Sequence, residues 1–190
     1  MHIAEISNPK TLGADIRAMR KSRGLTLEEL ADQLGRSTGW LSQVERAISI
    51  PTDDDLGALS QALSAPLSML VNDTPQADDE AGYIVRAGAR RKLDRRIDGL
   101  DEELLSPDLT DDFEVVYSTF APGSSRKDVI VRPTQELGIL ISGRMRLTIA
   151  GKTFEVATGD SFRIREEAFA WANPYSEPAI VIWVIAPPVY

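Results

Sequence analysis

The spacing of apolar residues changes once along this chain, and that change limits the folds it can adopt. Up to about residue 70 they recur at helical intervals: Leu12, Ile16 and Met19, then Leu27, Leu30 and Leu34, then Leu41 and Val44, then Leu56, Leu59 and Leu63. Beyond residue 82 the period falls to two, in YIVRAG, FEVVYSTF, ELGILISG, RMRLTIA, KTFEVATG, DSFRIR and AIVIWVIA, which are separated by Pro, Gly, Asn and Asp. The first pattern buries one stripe of each helix; the second buries one face of a strand and marks an antiparallel sandwich or barrel. Two domains are expected: a helical one over residues 1–71 and a β-rich one over 83–190. The polar, acidic stretch NDTPQADDEAG, residues 72–82, serves as linker. A chain of 190 residues is long enough for two small cores.

Start and stop signals divide the first half into five short helices. Gly24 suits the left-handed position that ends the first. Thr26 and Glu29 form a capping box at the start of TLEELADQLG, each side chain reaching an otherwise orphan amide. After Gly35-Arg36, Ser37 caps STGWLSQVER. Pro51-Thr52 opens a fourth helix, whose Asp53, Asp54 and Asp55 suit its positive end, and Pro66 opens a short fifth.

Composition excludes several chemistries. There is no Cys, and the only His is His2, so neither a disulfide framework nor a His-rich transition-metal site can form. Nucleophile systems that need an imidazole base are excluded too. A net charge of −8 argues against indiscriminate polyanion binding, while leaving room for a locally basic face. MHIAEISNPK lacks the basic and apolar regions of a signal peptide, and no stretch of about 18 apolar residues occurs, so a cytoplasmic protein with no membrane partner is expected.

Two helices joined by a short Gly-containing turn are a DNA-binding arrangement. GLTLEELADQLGRSTGWLSQVERAISIP resembles the Xre/Cro/C1-type helix-turn-helix repressors, and the likeness runs over roughly residues 11–70. The resemblance implies that the helix from Ser37 to Arg46 enters the major groove of double-stranded DNA, with Thr38, Gly39, Ser42 and Gln43 facing base edges. Arg36, Arg46, Lys21 and Ser37 are then phosphate contacts. Arg20 and Glu45 occupy positions that form a structural ion pair in similar repressors. Ala47 departs from the family, which usually has Gly there; a left-handed Ala would cost about 1 kcal/mol. Trp40 could touch DNA sugar or pack on a neighbouring helix.

The β-rich half resembles a cupin, a jelly-roll-like barrel, over roughly residues 110–188. Pro122-Gly123, Glu136 and Gly143, Gly159-Asp160, then Trp171, Asn173 and Pro174 carry the likeness. Metal-binding cupins use two His and a Glu from the first motif and a His from the second. Here Glu136 is kept, but Ile130 and Arg132 stand where the first-motif His would be, and Phe169 or Ala170 where the last would be. No metal and no other cofactor is expected. Two readings of the kept acid stand side by side. In one, Arg132 binds an anionic small molecule while Glu136 orients it, within walls of Tyr117, Phe169, Trp171 and Trp183. In the other, Arg132 and Glu136 form a pair that replaces the metal and props the barrel.

The whole chain is similar to regulators that join a helix-turn-helix to a cupin, and a DNA-binding repressor acting as a homodimer on a two-fold operator, controlled by an unidentified effector, is expected. The rivals are a cupin enzyme whose helical module contacts protein, and a ligand-free regulator whose cupin only dimerises. The basic run VRAGARRKLDRR, residues 85–96, reads as a solvated strand face or an inter-domain contact rather than a DNA contact. Arg144 and Arg146 share one sheet face.

Overall fold

The computed structural model describes residues 9–65, 67–70, 79–80, 82–93, 97–107, 109 and 111–189. His2, Pro66 and most of the expected linker lie outside them.

One compact unit is helical: α1 (Pro9–Ser22), α2 (Leu27–Gln33), α3 (Thr38–Glu45), α4 (Asp53–Ala62) and the single turn α5 (Leu67–Leu70). Its core is the expected periodic set, with Leu12, Ile16, Met19, Leu30, Leu41, Val44, Leu56, Leu59 and Leu63 all buried. In α2 the buried stripe is Leu30 and Ala31, while Leu27 and Leu34 are half-buried. The capping box at Thr26 and Glu29 forms, and a second one joins Thr52 to Asp55 at the start of α4. Gly13 lets α1 lie against the end of α3: an added Cβ would stand 2.6 Å from the Val44 carbonyl oxygen. Arg20 fastens the same contact, donating through Nε and Nη2 to the two Glu45 carboxylate oxygens at 2.6 and 2.9 Å and through Nη1 to the Leu25 carbonyl at 2.9 Å. The ion pair expected for Arg20 and Glu45 is present.

This unit does not stop after α5; it takes in the chain up to Arg91 and the segment Ser106–Asp111. Asp15 of α1, fully buried, explains why. Its Oδ2 accepts from Arg91 Nη2 at 2.5 Å and its Oδ1 from the Leu109 amide at 3.1 Å, while Arg91 Nη1 donates to the Met69 carbonyl at 3.2 Å. So residues 83–91, expected to open the β-rich half, belong with the helices. YIVRAG is not a strand either. The Tyr83 and Ile84 amides both donate to the Glu80 carbonyl, Ala87–Ala89 makes a 3-10 turn, and Tyr83 is 83% exposed. Among the described residues its alternation has no neighbouring strand to pair with, and a period of two makes a strand only when one exists. Arg91 also shows that the basic run is not wholly a solvated face.

The second unit is all β: β1 (Arg91–Lys92), β2 (Leu100–Leu104), β3 (Glu114–Phe120), β4 (Ser125–Ile130), β5 (Gln135–Ser142), β6 (Arg144–Ile149), β7 (Lys152–Ala157), β8 (Ser161–Arg165), β9 (Phe169–Ala172) and β10 (Ala179–Ala186). The unit boundary falls within β1. A six-stranded sheet runs β1-β2-β3-β10-β5-β8 and a four-stranded one β4-β9-β6-β7. Strands β1, β2, β4 and β9 are missing from the expected set; LDEEL and SRKDVI are too charged to show apolar alternation. Phe120 on one sheet meets Trp171 on the other edge-on at 4.7 Å. Phe162 lies across Gly138, where an added Cβ would come within 2.3 Å of the ring, and meets Trp183 edge-on at 5.2 Å. Asn173, fully buried, donates to the Phe120 and Glu177 carbonyls at 3.0 and 2.8 Å and so ties the loop after β9 to the end of β3.

Candidate nucleic-acid interface and barrel cavity

Ser37 caps α3 by accepting the Trp40 amide at 3.1 Å. With Leu41 and Val44 turned into the core, Thr38, Gly39 and Gln43 are exposed and Ser42 half-buried along the opposite stripe. Gln43 is oriented, since its Oε1 accepts from the Ser49 hydroxyl at 2.9 Å. That bond uses one lone pair of the carbonyl, so the amide retains an acceptor site and both N–H donors. Arg46 is exposed and bends back so that its Nε donates to the Ser42 carbonyl at 3.2 Å. Lys21 is exposed in the last turn of α1.

Arg36 has a second task. Its Nε and Nη2 donate to Asp55 Oδ1 at 2.9 and 2.7 Å, and its guanidinium lies 5.1 Å from the centre of the half-buried Trp40 ring. Burial works to raise the Asp55 carboxyl, but the Thr52 hydroxyl and amide together with Arg36 outweigh it and hold the group below its ordinary value. Any phosphate contact by Arg36 shares the side chain with this structural pair. Trp40 thus packs on Arg36.

Ala47 follows α3 with φ at 57°, and its neighbours complete a Schellman ending: Ala47 N to Val44 O at 2.9 Å and Ile48 N to Gln43 O at 2.8 Å. The turn keeps the left-handed geometry that the family fills with Gly.

In the β unit, Arg132, Glu136, Phe169, Trp171 and Trp183 line one cavity, together with Ile97, Leu100, Glu102, Phe120, Arg126, Ile130 and Ile185. Tyr117 is not among them. Strand β3 buries Val116, Ser118 and Phe120, so Tyr117, one residue out of phase, points to the other face; parity along the strand would have selected Phe120 in its place. Glu102 had no visible signal, because β2 does not read as a strand. It accepts from Ser118 Oγ at 2.8 Å.

Glu136, 2% exposed, accepts from Thr134 Oγ1 at 2.8 Å and has Arg132 Nη1 at 3.6 Å from its Oε1. This is an ion pair without a direct hydrogen bond. Open space at the centre of the cavity is about 30 Å³, room for a few waters at most. The donor set does not fit a transition metal: Ile130 supplies no donor, Arg132 is a cation, and among the described residues no three His, Cys, Asp or Glu side chains gather. Arg144 and Arg146 point away from the core: Arg144 lies over the Tyr175 ring at 4.4 Å, and Arg146 pairs with Glu155 at 3.2 Å. No described helix is long and apolar enough to cross a membrane.

A helix-turn-helix domain model matches residues 11–70 and a cupin domain model residues 116–185. The transcriptional regulator ClgR of Mycobacterium tuberculosis is 31% identical over 99 residues, covering 52% of this chain and 88% of that protein. The chain belongs to the helix-turn-helix transcriptional regulators with a C-terminal cupin domain. The similarity to the HTH-type transcriptional regulator PuuR of Escherichia coli spans both domains, at 22% identity over 155 residues, 80% of this chain and 81% of that one. A solved HTH_3 family transcriptional regulator from Vibrio cholerae aligns over 95% of this chain and 97% of its own, at 21% identity and a TM-score of 0.43. In this DNA-binding regulator α2 and α3 are the two helices of the motif, joined through Leu34–Ser37, and the cavity lies in the cupin.

Proposed function

We propose that the regulator acts as a homodimer on a roughly two-fold operator, most simply as a repressor, and that a small molecule bearing an anionic group controls it through the cupin cavity. The observation that carries the DNA-reading half is the outward stripe of exposed Thr38, Gly39 and Gln43 with half-buried Ser42, on a capped helix whose Leu41 and Val44 are buried. A Gln amide pairs bidentately with adenine, a Thr methyl meets the thymine methyl, and Gly admits close approach. Ser37, Arg46, Lys21 and Arg36 set register on phosphates. One small module contacts too few bases for genomic specificity, and two copies solve this.

For the effector, Arg132 and Arg126 supply forked donors within aromatic and aliphatic walls. An anion would compete with Glu136, 3.6 Å away, for Arg132, and so would favour one arrangement of the barrel over another. That differential affinity is what a population shift requires. The small open space and the existing Arg132–Glu136 pair favour a second reading, in which the cupin binds nothing and only dimerises.

Fluorescence anisotropy of the full chain on its own upstream DNA and on an unrelated duplex, across a salt series, tests the first half. Gln43→Ala should weaken operator binding by about 5- to 150-fold, and Lys21→Ala should reduce the salt slope by about one. Equal, weak binding to both duplexes would count against it. For the second half, thermal midpoints are measured with inorganic phosphate and with a panel of small carboxylates. A rise that disappears in Arg132→Met supports the effector reading, and no rise with any of them supports the ligand-free one.

A further inference from the structure

The turn after α3 brings the chain back onto the outward stripe of that helix. Left-handed Ala47 reverses its direction, and the next two amides return to one acceptor: Ile48 N and Ser49 N donate to the Gln43 carbonyl at 2.8 and 3.3 Å. With its backbone held there, half-buried Ser49 reaches the exposed Gln43 side chain, and its hydroxyl donates to Oε1 at 2.9 Å. Two residues six apart in the chain are thus joined at main chain and side chain alike.

A Gln amide on a helix surface samples many rotamers, and one that must meet a base edge in a single orientation loses that freedom on binding. The Ser49 bond removes part of it beforehand. It leaves the amide competent to read, since Oε1 keeps its second lone pair and Nε2 both of its hydrogens, the set that adenine requires. Donation into Oε1 also polarises the amide and strengthens its N–H groups as donors. The hydroxyl itself is committed. Ser has one hydroxyl hydrogen, and while it points to Gln43 it cannot be given to a phosphate oxygen. Holding Gln43 and contacting phosphate are mutually exclusive tasks for this side chain, and the geometry is that of the first.

We propose that Ser49 is a positioning residue for sequence reading: it holds the Gln43 amide in its reading orientation before DNA arrives, without touching the DNA. The proposal rests on the DNA-reading half of the function above, and its first test needs no DNA. Nuclear magnetic resonance relaxation is measured at Gln43 Nε2 in the full chain, wild type and Ser49→Ala, with exposed Gln33 and Gln61 of the same molecule as references. In the wild type Gln43 should be the most ordered of the three, and in Ser49→Ala it should fall to their level. A wild-type Gln43 as mobile as the references, or an amide whose order survives Ser49→Ala, overturns the proposal.

The second test is a double-mutant cycle on a duplex that the wild type selects from a random pool. Ser49→Ala should weaken binding to that duplex by about 2- to 12-fold, the effect of ordering one side chain, and leave an unrelated duplex and the salt slope unchanged. In the Gln43→Ala background the same substitution should change nothing, because no amide is left to hold. Pools selected by Ser49→Ala should show a flatter preference at the base pairs that lose preference in Gln43→Ala, and nowhere else. Equal losses in the two backgrounds, or a loss on both duplexes with a lower salt slope, would make Ser49 a prop of the turn or a phosphate contact and overturn the proposal. A wild type that enriches no sequence would sink the DNA reading instead, and the relaxation measurement would still decide whether Ser49 holds Gln43.

Discussion

Ala47→Gly is expected to stabilise the helical unit, and the structure supplies its own controls. α1, α2, α3 and α4 all end in the same Schellman hydrogen-bond pattern, with Gly24, Gly35, Ala47 and Ser64 at the left-handed position, φ 68°, 62°, 57° and 46°. An L-residue held there costs about 1–2 kcal/mol, and Gly carries about 0.5–1 kcal/mol of extra unfolded-chain entropy, so the net gain is about 0.5–1 kcal/mol. Ser64→Gly should gain by the same mechanism. Gly24→Ala and Gly35→Ala should lose a similar amount, and because an added Cβ at either meets nothing within 4 Å, the loss is conformational rather than steric. Far-UV circular dichroism at 222 nm follows the helices of the full chain through a thermal ramp. A unit of this size unfolding in its own transition moves by roughly 4–8 °C per kcal/mol, so shifts of about 2–8 °C are expected, up for Ala47→Gly and down for Gly24→Ala. If the two substitutions move the midpoint in the same direction, left-handed strain is not what distinguishes these turns and the argument fails.

Two further outcomes follow from buried charges. Asp15→Ala leaves Arg91 buried beside no carboxylate and should cost the helical unit about 3–5 kcal/mol in urea unfolding, whereas Asp15→Leu with Arg91→Met should stand within about 1–2 kcal/mol of wild type; equal losses in both would refute the unpaired-charge explanation. Asp55 is held below its ordinary value of 3.8, so the folded state favours its ionised form. Its contribution is fully present above pH 3.8 and is lost as the pH falls below that value. Asp55→Asn should therefore be less stable than wild type at neutral pH, with a gap that narrows below pH 3.8; a gap that is constant with pH would remove the ionised carboxylate from the account.

Much of the helical unit was legible along the chain because its determinants are local. A capping box needs residues three apart, a helical stripe needs three and four, and both are read without knowing what the helix packs on. The second capping box, Thr52 with Asp55, is harder to read because its N3 acid is Asp rather than Glu or Gln and stands in a run of three acids that the helix macrodipole already explains. In the candidate DNA face the same locality placed Thr38, Gly39, Ser42 and Gln43 on one outward stripe. It could not show that Arg36 also holds Asp55, 19 residues further on.

Where helical spacing gives way to alternation, which residues cap and terminate the helices, and that the cupin holds no imidazole or thiolate are all written along the chain, since each depends on near neighbours or on composition. What the strands do follows from packing between distant parts of the chain. Alternation says that Tyr117 and Phe120 lie on opposite faces, but which face is inside is set by the sheet that packs on β3, where Phe120 meets Trp171. A charged stretch such as LDEEL becomes a strand because a partner with free backbone groups lies beside it, and this brought Glu102 into the cavity. Arg91 meets Asp15 across 76 residues, and the energy of that pair comes from exclusion of water by everything packed around it, which no local pattern encodes.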